Sequence, residues 1–166
     1  YRDGAVWLLQ TVCAYIKETA DYGILNTMIP YYDGDTEETL FEHCIRGIDF
    51  LYDNTGEHGL CLWGGGDWND SFDGAGLLLK GESVWLSIAT VKATNDFAEL
   101  LNRLRKTDLS DKYLKKRNVI TKNIKKFGWD KDHFIYGIND WGEKVGSYDT
   151  KEGQMFLNPQ TWAVLA

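Results

Sequence analysis

Apolar residues return every three or four positions over residues 4–20, where Val6, Leu9, Cys13 and Ile16 form one stripe, the spacing of a helix with one inward face. Trp7, Leu8, Val12 and Tyr15 make the other faces largely apolar as well, so this helix is predicted to be buried. The polar run Lys17-Glu18-Thr19-Ala20-Asp21 then leads to Gly23 and Pro30. Asp35-Thr36-Glu37-Glu38 reads as a capping box, with Asp35 capping and Glu38 reaching back,. It predicts a second helix with Phe41, Cys44, Ile45, Ile48, Leu51 and Tyr52 on one face, ending near Gly56,.

Between residues 56 and 80 every period breaks: the stretch holds seven glycines, two tryptophans and three aspartates. A structureless connection of that length is uncommon unless it is functional or disordered, and its aromatic content argues against disorder. A third helix is predicted from about Glu82 to Lys106, with Val84, Ile88, Val91, Phe97, Leu100, Leu101 and Leu104 spaced by threes and fours. A fourth covers roughly 110–127, with Tyr113, Ile120, Ile124 and Phe127 inward, a Lys-rich outer side and Gly128 as C-terminal cap,. Residues 128–157 have no helical period and read as loops or a short hairpin; a last helix begins near Asn158-Pro159,. The sum is an all-α, layered domain spanning 1–166, because four-helix bundles have shorter connections.

Composition narrows the function. With 43% hydrophobic and 26% charged residues the chain has the make-up of a globular protein,. A net charge of -7 argues against a nucleic-acid partner, since phosphate backbones are met by a surplus of Lys and Arg. No run of about 18 apolar residues is present to span a membrane, and no signal peptide is visible. The chain opens at Tyr1 and stops within the apolar run Thr161–Ala166, so it is expected to be an internal piece of a longer protein, and its three free cysteines suggest a reducing, cytoplasmic compartment,. Cys13, Cys44 and Cys61 lack CxxC spacing and are expected to be free, buried thiols,. His43, His58 and His133 show no ligand spacing to them, so no metal site is expected,.

The chemistry lies in His58–Asp73, a stretch that includes Trp63-Gly64-Gly65-Gly66-Asp67-Trp68-Asn69-Asp70-Ser71-Phe72-Asp73. Glycines let backbone approach a ligand closely, and a tryptophan among them offers a rigid apolar face of the kind that sugar rings stack on. Cleaving a glycosidic bond takes a carboxylic acid kept protonated by apolar or like-charged surroundings. Asp67, Asp70 and Asp73 lie three apart and are expected to repel one another, raising the pKa of one of them. On spacing alone the stretch is equally an Asp-rich turn. A calcium loop of the EF-hand type fails, because the terminal acidic ligand is missing and Trp68 stands where a small polar residue is usual,. Gly64-Gly65-Gly66 has no following Lys-Ser/Thr and is no phosphate loop,.

Gly-Gly-Gly-Asp-Trp-Asn-Asp, followed by Lys80-Gly81-Glu82-Ser83-Val84-Trp85-Leu86, resembles glycoside hydrolase family 94, the family of cellobiose, chitobiose, laminaribiose and cellobionic acid phosphorylases and β-1,2-oligoglucan phosphorylases. Trp7-Leu8-Leu9 through Tyr15-Ile16-Lys17-Glu18-Thr19, and Glu152-Gly153-Gln154-Met155-Phe156-Leu157-Asn158-Pro159-Gln160-Thr161-Trp162-Ala163-Val164, are similar too, so the resemblance runs the length of the chain in order. It implies part of an (α/α)6 barrel with long functional loops. It further implies Asp70 as general acid and Trp68 lining the subsite of the transferred glucosyl unit. Asp67, Asn69 and Glu82 fall in the matching segments and are expected to support the site or bind sugar hydroxyls, Glu82 having also the plain reading of a helix N-terminal carboxylate. The co-substrate is inorganic phosphate, with no further cofactor, and the parent is expected to be a homodimer. The Arg and Asp that grip the glucosyl hydroxyls in the family have no counterpart here, Arg2-Asp3 being out of context, and the phosphate-binding His and Thr-Gly lie beyond Ala166. The chain alone is therefore expected to be inactive.

The implied reaction is inverting phosphorolysis of a β-linked glucosyl disaccharide or oligosaccharide to α-glucose 1-phosphate. The alternatives are an inverting hydrolase on the same barrel, which needs a second carboxylate, a non-catalytic glycan-binding module, and the related domain of a cyclic β-1,2-glucan synthase. Ser71-Phe72-Asp73 departs from the Gly-Met-Asn of that last branch.

Overall fold

A computed structural model describes residues 1–32 and 34–166. Five α-helices are present among the described residues: α1 (Gly4–Thr19), α2 (Leu40–Asp53), α3 (Val84–Arg103), α4 (Thr107–Asn123) and α5 (Leu157–Leu165). Short strands link them. β1 (Met28–Pro30) pairs antiparallel with β2 (Glu37–Thr39), and β4 (Trp129–Asp130) with β5 (His133–Phe134). β3 (Glu82–Ser83), β6 (Gly137–Ile138) and β7 (Lys144–Val145) form a small sheet with β6 in the middle.

Helix α3 is the centre, packed by α1, α4 and α5. Fourteen of its 20 residues are buried, more than a single stripe of a 3.6-residue period can hold. Its buried hydroxyls are satisfied within the protein, as burial requires: Ser87 Oγ donates to the Ser83 carbonyl at 2.7 Å, and Thr94 Oγ1 to that of Thr90 at 2.7 Å. The α1 stripe is buried as its spacing predicts, at Val6, Leu9, Val12, Cys13 and Ile16. The three thiols are free and buried, and burial pushes those of Cys13 and Cys44 up to about 12.

Several boundaries differ from the sequence reading by a few residues, and three of the differences have a visible cause. The capping box of α2 is Thr39 with Glu42, not Asp35 with Glu38: the Glu42 amide donates to Thr39 Oγ1 at 3.2 Å and the Thr39 amide to Glu42 Oε2 at 2.9 Å. Glu38 instead pairs with Arg46 and accepts from Tyr31 Oη at 2.7 Å, while residues 37–39 extend along β1. Helix α3 starts at Val84, because Glu82 and Ser83 pair with Ile138 and Gly137 and the Ser83 hydroxyl caps Leu86 N–H at 2.9 Å. Gly128 ends a π turn (Ile124–Gly128) and serves close packing, since a Cβ there would lie 2.8 Å from Val84 Cγ1.

Candidate active site

The aperiodic segment after α2 is laid down along the start of α3. Trp63 N–H donates to the Gly81 carbonyl (2.8 Å), Ser83 N–H to Cys61 (2.9 Å), and Cys61 N–H to Ser87 Oγ (2.8 Å). Trp63 is fully buried, stacked on Tyr136 at 5.3 Å and edge-on to Phe72 at 5.6 Å. Gly64 has φ +64°, a backbone conformation that favours glycine, and a Cβ on it would also lie 2.3 Å from Arg2 Nε and push that side chain aside,. Arg2 in turn donates from Nη1 to Asn54 Oδ1 at 2.9 Å and from its amide to the Gly66 carbonyl at 3.1 Å.

On this base the Asp-Trp-Asn-Asp run splits its side chains between interior and surface. Asp67 is fully buried: Oδ1 accepts from Tyr136 Oη (2.7 Å) and the Asn69 amide (3.1 Å), and Oδ2 from Ser83 Oγ (2.6 Å). Burial pushes its carboxyl up from the ordinary value, and the donors from Ser83, Tyr136 and Asn69 recover part of the shift,. The like-charge repulsion expected from the spacing is thus not the cause; the acidic neighbour that adds to it is Asp3. Trp68 is half-exposed and rests on Trp85 at 6.3 Å, itself packed against Trp7 and Trp162. Asn69 Oδ1 accepts from Ser71 N–H at 3.1 Å, capping the 3-10 turn Asp70–Phe72. Asp70 opens that turn and is exposed. Beside it, Tyr1 Oη donates to Asp73 Oδ2 at 2.8 Å, and this bond, with desolvation and the charges of Asp73 and Asp70, pushes the phenol up to about 12.

Glu82 faces inward. It accepts from the amides of His58 (3.1 Å) and Leu60 (2.9 Å) and pairs with His58 Nδ1, folding the 56–60 turn around itself. Gly56 makes room for it, as a Cβ there would lie 2.6 Å from Glu82 Cδ. Two of the five expected site residues, Asp67 and Glu82, therefore commit their carboxylates to protein donors. Trp68 and Asp70 face outward, and Asn69 shapes the turn between them.

Three contributors are placed by long-range pairing, and two of them, Tyr136 and Asp140, have no signal in the local sequence. Tyr136, Ser83 and Asp140 reach the loop from elements paired at long range. Asp140 is buried and accepts from the amides of Leu78 (2.8 Å), Lys80 (3.0 Å) and Gly81 (2.8 Å). Burial works against its charge, but the Leu78, Gly81 and Lys80 amides outweigh it and hold the carboxyl below the ordinary aspartate range,. Ser83 alone had a cue, sitting next to Glu82 in a matching segment.

Over its whole length the chain is 44% identical to the solabiose phosphorylase of Paenibacillus borealis, of which it covers 22%. It is 34% identical to the cellobionic acid phosphorylase of Neurospora crassa, covering 100% of the chain and 21% of that protein. With a 3-O-beta-D-glucopyranosyl-beta-D-glucuronide phosphorylase of Paenibacillus borealis it shares 31% identity over 100% of the chain and 22% of that protein. The chain thus spans about a fifth of the length of these curated relatives. Residues 1–166 match the Glycosyl hydrolase 94 superfamily, catalytic domain, from end to end, and it is to this family that the chain belongs.

Proposed function

We propose that the protein is an inverting phosphorylase of a β-linked glucosyl disaccharide or oligosaccharide, with Asp70 as its general acid. Its helices are read as part of an (α/α)6 barrel in which α3, with 14 of its 20 residues buried, is an inner helix. The observation that carries the reading is the pairing of an outward carboxyl at Asp70 with an outward indole at Trp68, on a turn braced from beneath by Asp67. Trp68 offers a flat apolar face to the sugar ring, and the cluster of Trp85, Trp7 and Trp162 behind it keeps that face in place.

Asp70 gives its proton to the glycosidic oxygen as the C1–O bond breaks. Phosphate attacks C1 from the opposite face, and a bond forms to give the α-sugar 1-phosphate. Phosphate arrives as an anion and needs no base, whereas an inverting hydrolase needs a second carboxylate about 6.5–9.5 Å from the acid. Asp73 does not suit that task, since it stands on the acid's own turn with its carboxylate engaged by Tyr1. No cofactor beyond inorganic phosphate enters this scheme. The names of the relatives favour a disaccharide substrate, in some cases one with an acidic sugar.

The test uses the full-length enzyme with cellobiose, laminaribiose, sophorose, chitobiose, solabiose and cellobionic acid, with and without inorganic phosphate, followed by NMR. Phosphate-dependent appearance of an α-sugar 1-phosphate is expected. Equal release of free sugar without phosphate would make the enzyme a hydrolase.

A further inference from the structure

Asp67 is the junction through which three separate elements hold the acid turn. From β3, at the N-cap of α3, the Ser83 hydroxyl that caps Leu86 N–H donates to Oδ2. From the bend just ahead of β6, the Tyr136 hydroxyl donates to Oδ1. From the turn itself, the Asn69 amide donates to the same Oδ1. Asn69 then caps the turn that begins at Asp70, so the chain of contacts from Tyr136 to the exposed carboxyl is unbroken. Ser83, Asp67 and Tyr136 are all fully buried, and water cannot take the place of a missing donor cheaply,.

We propose that Tyr136 is a positioning residue for Asp70, acting through Asp67, so that its hydroxyl fixes where the acid turn sits over the glycosidic oxygen. The proposal rests on Asp70 being the proton donor. The Tyr136 ring has a separate job. It stacks on Trp63 and packs against Phe72 at 4.6 Å and Phe156 at 5.7 Å. Tyr136→Phe keeps that packing and removes only the hydroxyl, leaving Asp67 Oδ1 with the Asn69 amide as its remaining donor in this trio. A turn released at one of its anchors carries its carboxyl away from reacting geometry, and a misplacement of about 1 Å costs on the order of 100-fold in rate.

The experiment compares full-length wild type, Tyr136→Phe, Asp67→Asn and Asp70→Asn on an unactivated disaccharide and on 2,4-dinitrophenyl β-glucoside, whose leaving oxygen departs with its electron pair and needs no proton. Hydrogen exchange is followed in parallel over residues 67–73 and over α3. For Tyr136→Phe the expected result is a kcat fall of roughly 10- to 100-fold on the disaccharide with KM little changed. Activity on the dinitrophenyl glucoside is retained, and exchange quickens at 67–73 while α3 stays protected. Asp67→Asn should move the same readouts in the same direction. Equal losses on both substrates, quickened exchange in α3 as well, or unchanged turnover and exchange would each overturn the positioning role. Full disaccharide turnover by folded Asp70→Asn would overturn it together with the acid assignment, and that control tells the two failures apart.

Discussion

Two glycines of this site predict opposite outcomes for the same substitution. At Gly137 a Cβ would lie 2.5 Å from Trp63 Cζ3 and 2.6 Å from the Glu82 carbonyl oxygen. Carbon atoms settle at about 3.5–4.0 Å, so something must move by roughly 1 Å. Neither neighbour yields easily. Trp63 is fully buried between Tyr136 and Phe72, and the Glu82 carbonyl belongs to the β3–β6 pair. Overpacking of this kind costs about 1–3 kcal/mol, against a gain of about 0.4–1 kcal/mol from the stiffer unfolded chain. Gly137→Ala should therefore lose roughly 1 kcal/mol net, and up to about 2.5 kcal/mol if nothing relaxes. At Gly65 a Cβ meets nothing within 4 Å and φ is not positive, which leaves only the entropic gain, about 0.4–1 kcal/mol.

Urea unfolding of the full-length protein and the two variants, read by near-UV circular dichroism, measures both signs in one experiment. Gly137→Ala should shift the midpoint down and lower turnover as well, because the displaced groups are Trp63 beneath the acid turn and the strand bearing Ser83. A Gly137→Ala protein as stable as wild type, or a Gly65→Ala protein destabilised by the same amount, would refute the steric reasoning.

Exposure separates two tryptophans. Trp68→Ala should raise KM or abolish turnover with little change in melting temperature, while Trp85→Ala, which empties a fully buried site, should cost about 3–5 kcal/mol in unfolding,. Thr39→Ala removes the observed cap of α2 and should destabilise by about 1 kcal/mol, whereas Asp35→Ala should be neutral in the same denaturation assay,. Asp140→Asn gives up the charge that gathers three amides and should lose about 1.5–3 kcal/mol at neutral pH,. Because the folded-state carboxyl titrates below the unfolded one, that stability is present above the ordinary aspartate value and lost as pH falls through the folded value,. The gap between wild type and Asp140→Asn should accordingly close in acid, and a constant gap across an acid titration would remove the assigned role.

Sequence alone carried the parts of this protein whose information is local. A stripe such as Val6, Leu9, Cys13 and Ile16 repeats at the helical period, so burial of one face follows from spacing. The Asp-Trp-Asn-Asp run declared itself because glycines, an indole and carboxylates crowd into one aperiodic stretch. What spacing cannot supply is which side chains turn inward, since in a loop the direction of each is set by partners far along the chain. Asp67 and Asp70 are equivalent as letters. They differ because Tyr136, 69 positions away, and Ser83, 16 away, put donors under one of them. The same holds for the capping box: Asp35–Glu38 and Thr39–Glu42 were both written in the sequence, and the choice fell to the second because Arg46 and Tyr31 claim Glu38. A local pattern thus proposes the candidates, and long-range donors select among them. On that logic the side chains that select Asp67 for the interior are the buried donors at Ser83, in β3, and Tyr136, just ahead of β6, around a small sheet that no periodicity announces.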